Sequence, residues 1–168
     1  MIFYYLWVIC STQFHINFRF FVSLPIENAI SSIIQVLTLA ERLKFELRHS
    51  YTSAGRQESV AEHCWRMSLM AVLIEPLLTE KVNTARLLKM SIIHDLVEAE
   101  ARDISALEIL RHPEIKEIKA ANEQRAIENL RGMLKETNGQ EIYELFYEFE
   151  EKETYEAKVA NALDKLEV

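Results

Sequence analysis

Apolar residues recur at positions 30, 33, 34, 37, 39 and 43 of ENAISSIIQVLTLAERLKFEL, close to the i, i+3, i+4, i+7 spacing of an amphipathic helix, and predict a first helix over about 27–46. The following RHSYTSAGRQE loses that period and reads as a loop, the kind of segment that often carries ligand contacts. Periodicity returns after SVAE, where Ser59 can cap a second helix and Glu62 can reach back to complete a capping box. Its apolar positions at 65, 67, 69, 70, 73, 74 and 77 predict a largely buried helix, with Pro76 near the end. Asn83 can cap a third helix, in which Leu87, Leu88, Met90, Ile92 and Ile93 crowd the core immediately before the polar pair His94 and Asp95. Residues 96–104 read as a short helix or turn, and Pro113 in HPE suits a first helical position ahead of a helix over about 114–135. Asn138 and Gly139 break the pattern. QEIYELFYEFEEKE and TYEAKVANALDKLEV then predict two last amphipathic helices, the second capped by Thr154. The Phe and Tyr stripe of YELFYEFE is expected in the core or at a dimer contact.

With only three Gly and three Pro, and without alternating Val, Ile and Thr between turn clusters, the expected fold class is all-α. A length of 168 residues, 49% hydrophobic and 27% charged, suits one globular domain. The formal net charge of −7, without a Lys/Arg stripe, argues against a sequence-independent grip on nucleic acid. A small ligand is expected instead, and one bearing phosphate would need a metal ion or a few arginines to offset the acidic background. Cys10 and Cys64 are too few and too far apart for a disulfide framework, which points to a reducing, cytoplasmic setting. The leader MIFYYLWVICSTQFHINFRFFVSLP qualifies that inference, because its first ten residues are almost all apolar. It lacks a preceding basic residue and a clean cleavage site, and polar residues interrupt it before it could span a bilayer. Residues 1–25 are therefore set apart from the domain at 26–168 as a foreign extension, with a membrane or export segment and a core-packed helix as the alternatives.

Histidines and aspartates often sit at helix ends, where they satisfy free backbone groups. The context of SIIHDLV is less ordinary, since Asp95 lies between apolar neighbours on both sides and a buried carboxylate needs a partner. A divalent cation would supply one, taking the lone pair of an adjacent neutral imidazole as well. The other residues set in comparably apolar sequence are His63 in VAEHCWRMSLM and Asp164 in VANALDKLEV. Two His and two carboxylates leave a coordination position open, which suits a catalytic metal with nitrogen and oxygen ligands. Manganese, cobalt, magnesium, iron and zinc all fit that set.

The ordered residues His63, His94-Asp95 and Asp164 resemble the H…HD…D pattern of the HD-domain metal-dependent phosphohydrolases, and RQESVAEHCWRMSLMA with IIHDLVEAEARDI is similar to the branch that includes the 5′-deoxynucleotidases. The resemblance covers about residues 27–168. It implies a bundle of five or more helices around one divalent metal, with His63, His94, Asp95 and Asp164 as ligands. It further implies Glu98 as the carboxylate that positions or deprotonates the attacking water, Asp103 as the acid near the leaving group, and Arg48 as the phosphate contact. The implied substrate is a (deoxy)nucleoside 5′-monophosphate, and a homodimer is implied too.

Three departures accompany the likeness. His49 stands where those enzymes carry a tryptophan, so the substrate contacts at the sugar are expected to differ. Arg102 stands where a glycine is usual ahead of Asp103, altering the turn and adding charge. The family chain also continues further beyond its last ligand, so the domain is read as truncated there. Taken singly, Glu98 and Asp103 are as easily solvated carboxylates, and Arg48 serves equally well as a cation at a helix C-terminus. Glu100 and Arg66 are expected at the surface, His15, His49 and His112 outside any ligand set, and Cys64 as a small buried residue. The rival functions are a non-catalytic metal- or nucleotide-binding regulatory module and a phosphodiester or alarmone hydrolase.

Overall fold

The computed structural model of the protein describes residues 26–104 and 106–167; the apolar leader, with Cys10 and His15, lies outside them. Among the described residues the chain forms eight α-helices and one β-hairpin. These are α1 (Ile26–Ala40), β1 (Leu47–Tyr51), β2 (Gln57–Ser59), α2 (Val60–Ile74), α3 (Thr84–Ile93), α4 (Glu98–Ala101), α5 (Ala106–Arg111), α6 (Ile115–Met133), α7 (Gly139–Glu151) and α8 (Tyr155–Leu166). The all-α expectation holds apart from the hairpin, and no described helix is long and apolar enough to cross a membrane.

Local sequence explains where these helices start. The Ser59 hydroxyl accepts from the Glu62 backbone N–H at 3.3 Å, and the Glu62 carboxylate accepts from the Ser59 N–H at 2.9 Å, closing the capping box. Asn83 accepts from the Arg86 N–H at 3.1 Å, and Thr154 from the Ala157 N–H at 3.2 Å. Gly139 is required by contact: a Cβ there would fall 2.5 Å from the Arg131 carbonyl oxygen, because α7 begins hard against the end of α6.

Three boundaries differ from the sequence reading. The first helix stops at Ala40 and tightens into a 3-10 turn over Glu41–Lys44 instead of running to residue 46. Pro113 lies in the turn before α6, which starts only at Ile115. The stretch read as a loop is the antiparallel hairpin, with Leu47 opposite Ser59 and Tyr51 opposite Gln57. The reason is an inverted alternation. Leu47 and Tyr51 face solvent while Arg48 and Ser50 turn inward, so β1 carries polar side chains where a core-facing strand would show apolar ones. Gly55 at φ 76° closes the turn, and a paired Arg56–Glu62 contact at 2.7 and 2.9 Å ties the hairpin to α2.

The core has two main parts. Met67, Leu87, Met90, Leu145 and Leu163 pack α2, α3, α7 and α8 together, and Val97, Ile127, Leu130 and Phe146 join α4, α6 and α7. Full burial of each large aliphatic side chain contributes about 1.5–3 kcal/mol, so the helices hold one another by their apolar faces. The aromatic stripe of α7 is in this core through Phe146 and Phe149, with Tyr143 and Tyr147 partly buried against it. α2, the end of α3 and α8 therefore meet with their polar residues facing one another.

Candidate metal centre

His63 projects from the first turns of α2 and is wholly buried. His94 follows the last residue of α3, Asp95 lies in the turn that leads to α4, and Asp164 comes from the final turns of α8. The four side chains converge. His63 Nε2 lies 3.4 Å from His94 Nε2, 3.2 Å from Asp164 Oδ1 and 3.6 Å from Asp95 Oδ2. His94 Nε2 lies 3.1 Å from Asp95 Oδ2 and 3.9 Å from Asp164 Oδ1.

The other ring nitrogens fix what these atoms can do. His63 Nδ1 is 2.5 Å from Glu167 Oε2, and His94 Nδ1 is 3.2 Å from the Ser91 carbonyl oxygen. An ionised carboxylate and a carbonyl can only accept, so each Nδ1 carries the hydrogen and each Nε2 presents its lone pair inward. The two lone pairs then lie 3.4 Å from each other and 3.1–3.9 Å from an oxygen of each carboxylate. That arrangement is repulsive unless positive charge sits among them. Four ligands held at about 2.0–2.2 Å from one ion stand roughly 3.0–3.6 Å apart. His63, His94 and Asp164 form one group of donors within 4.8 Å of one another, and Asp95 joins it through the two imidazoles at 3.1 and 3.6 Å, a donor set whose types suit a divalent metal.

The electrostatics agree. Burial opposes charge on His94, yet Asp95 and Asp164 raise its pKa, so a proton is what relieves the cluster when no metal does. Burial would lift Asp95, but His94, His63 and Arg48 together hold it down at about 2. Burial likewise pushes Asp164 up, and the His63 contact and His94 charge bring it below the usual range. Cys64 Sγ lies within 4.8 Å of donors on His94 and Asp95. Burial, then Asp95 and Glu98, push its thiol pKa far up, which keeps it protonated and a poor ligand.

Beside the cluster sit the residues singled out for reaction and substrate. Arg48 reaches inward from β1, its Nη1 3.5 Å from Asp95 Oδ2 and its Nε 3.9 Å from Glu58 Oε2, so it is not a cation at a helix end. Glu98 starts α4 and is 6% exposed; burial, then the Asp95 and Asp103 carboxylates, raise its pKa to about 9. Its Oε2 and the Arg48 Nε are buried without an aligned hydrogen bond among the described residues. Burial also raises Asp103, against the pull of Lys119, and its carboxylate lies 3.9 Å from His49 Nδ1. His49 thus has a partner that its sequence context did not announce. Arg102, the residue in place of a glycine, has φ 67° and ψ 153°, a region that side chains other than hydrogen rarely occupy.

Two buried carboxylates escaped the sequence reading. Glu167 is fully buried against His63, and Arg66, expected at the surface alone, pairs with it at 3.1 Å. Glu58, 6% exposed, has a pKa raised by burial and by Glu167. For Glu167 the available signal was its spacing, one helical turn beyond Asp164. Glu58 lies on the three-residue β2, and no local pattern marked it. Glu100 is exposed, as expected, and accepts from Asn129 at 2.6 Å.

Residues 40–168 match the HD domain family model. The chain is 32% identical over 143 residues to the 5′-deoxynucleotidase HDDC2 of Xenopus laevis, covering 84% of this chain and 68% of that protein. It is 32% identical to the 5′-deoxynucleotidase hdd1 of Schizosaccharomyces pombe, covering 82% and 69% of the two chains. It thus spans about two thirds of the length of these curated relatives. The crystal structure of a predicted metal-dependent phosphohydrolase from Magnetospirillum magnetotacticum superposes with a TM-score of 0.72 at 31% identity, covering 83% of this chain and 70% of that one.

Proposed function

This chain belongs to the HD-domain family, in the branch of metal-dependent phosphohydrolases that resembles the 5′-deoxynucleotidases, and on that premise we propose that it releases phosphate from a nucleoside 5′-monophosphate. The observation that carries the reading is the convergence of Asp95 and Asp164 on the His63 and His94 imidazoles at 3.1–3.9 Å, beside a partly buried arginine and a buried acid. In this reading those four residues hold one divalent ion, drawn from Mn, Co, Mg, Fe or Zn. Such an ion neutralises charge on phosphoryl oxygen and makes water acidic enough to attack at neutral pH.

The chain's own groups do the rest. Arg48 offers guanidinium N–H donors to two phosphate oxygens, and its Nε, which makes no aligned hydrogen bond, leaves donor capacity for them. Glu98 orients the attacking water and takes its proton; a divalent ion held by the neighbouring ligands would cancel part of the negative field that keeps Glu98 protonated and bring its pKa down. Asp103, whose pKa is also raised, holds a proton for the departing sugar oxygen. His49, over Asp103, takes the place of an aromatic wall at the sugar and forms part of the substrate contact. Cytoplasmic residence and a homodimer belong to the same proposal.

Chelator-stripped protein reloaded with each metal in turn, and offered ribo- and deoxynucleoside 5′-monophosphates, is expected to release inorganic phosphate with at least one metal and to lose that activity on chelation. Nucleotide binding without phosphate release under every metal would overturn the reading in favour of a regulatory module. Release only from phosphodiesters would move the substrate class.

A further inference from the structure

The four-donor cluster is held by more than its own four residues. His63 is the only one of its side chains with no exposed surface at all, and its orientation is set from behind. Its Nδ1 meets Glu167 Oε2 at 2.5 Å, and Glu167, itself 0% exposed, meets Arg66 Nη1 at 3.1 Å through its other oxygen. Both outer partners come from elements that already build the centre. Arg66 follows His63 by three residues on α2, and Glu167 follows Asp164 by three at the end of α8. One turn of each helix therefore carries a donor facing the cluster and a partner standing behind it.

We infer that Glu167, backed by Arg66, is a positioning residue that locks His63 in the Nδ1–H tautomer and aims Nε2 at the metal. This inference rests on the reading of the cluster as a metal site. A fully buried carboxylate is costly without compensation. Its compensation here is one ring N–H and one guanidinium, and Oε1 forms no aligned hydrogen bond with any described residue. Such a group is better explained by what it does to His63 than by any gain in packing. His94 receives the same service more cheaply, from the Ser91 carbonyl of its own helix. His63 Nδ1 instead meets a side chain from the end of α8, so its orientation depends on a second helix. The same contact makes α8 responsible for two things at once, delivering Asp164 and orienting His63.

The test is a titration of Co2+ into the chelator-stripped chain, read by visible absorption of the bound ion, for the wild type, Glu167→Ala, Glu167→Gln and Arg66→Ala. Loss of a partner behind a ligating imidazole typically weakens metal binding about 10- to 100-fold. That loss is expected for Glu167→Ala. Glu167→Gln, which keeps an oxygen to accept from Nδ1–H, is expected to recover part of it, and Arg66→Ala to lose less in the same direction. A Kd within twofold of wild type in Glu167→Ala, with a lowered melting temperature of the chelated protein, would make Glu167 a merely structural acid and overturn the inference. If Glu167→Ala does not fold, unchanged affinities in Glu167→Gln and Arg66→Ala overturn it equally. A wild type that binds no Co2+ removes the metal-site reading itself, and this inference with it.

Discussion

The two sides of the centre are built in opposite ways. On the side of α2, α3 and α8, each imidazole has its outer nitrogen committed to an acceptor and its inner nitrogen aimed at the cluster. On the side of β1 and α4, Arg48 Nε and Glu98 Oε2 are buried without an aligned partner, and Arg102 sits at φ 67° just before Asp103. Glu167 Oε1, on the first side, also lacks an aligned hydrogen bond but has the Arg66 guanidinium at 3.1 Å. Buried polar atoms in proteins are almost always paired, so on the proposed function Arg48 Nε and Glu98 Oε2 are groups kept free for a molecule that comes and goes. The first side is made to hold something permanently. The second is held ready, at a cost in stability.

That contrast can be broken by substitution. The largest effect is expected on the permanent side: His94→Ala or Asp95→Asn should abolish stoichiometric metal by elemental analysis and lower phosphate release at least about 1,000-fold, since both the ion and its charge neutralisation are lost. Retained turnover without metal would erase the distinction between the two sides.

Glu98→Gln is expected to keep its metal and lose about 100- to 1,000-fold in kcat, as removal of a general base does. The same variant sharpens the stability cost. In the metal-free protein the Glu98 pKa is raised to about 9 from an ordinary 4.5, so the folded state holds a proton that the unfolded state releases between those values. Stability then falls as pH rises through that window. The glutamine has nothing to release. Chelated Glu98→Gln should therefore melt higher than wild type at pH 8, by on the order of 5 °C, and indistinguishably at pH 4. An equal difference at both pH values would assign the effect to packing.

The smallest effect concerns the backbone. Arg102→Gly should stabilise the fold by about 1 kcal/mol, the relief of a strained φ less the added chain entropy of glycine. Denaturant midpoints measure it, and a destabilised variant would mean that the Arg102 side chain contributes more than its backbone costs.

Much of this was written in local pattern. The caps at Ser59, Asn83 and Thr154 depend on residues three or four apart, and they appear in the structure where the chain announces them. The apolar pattern overstated burial, since Trp65, Leu69, Leu73, Leu77 and Ile92, read as buried, are exposed. The hairpin did not announce itself, because β1 turns Arg48 and Ser50 inward and its apolar residues out. Its polar inward face is the one the site uses. Glu58 was hidden because the three-residue β2 is too short to show a period, and Arg66 looked like any solvent-facing helical cation until Glu167 was placed beneath it.

The sequence by itself determined the class of the fold, the helices and the residue types able to carry metal and phosphate chemistry, because each of those depends on short-range spacing and side-chain identity. Only the tertiary structure decided that donors separated by up to about a hundred residues share one cluster, that each imidazole turns its Nε2 toward it, and that Glu98 is too buried to ionise freely. Those are properties of distance and dielectric between helices, which no single segment contains.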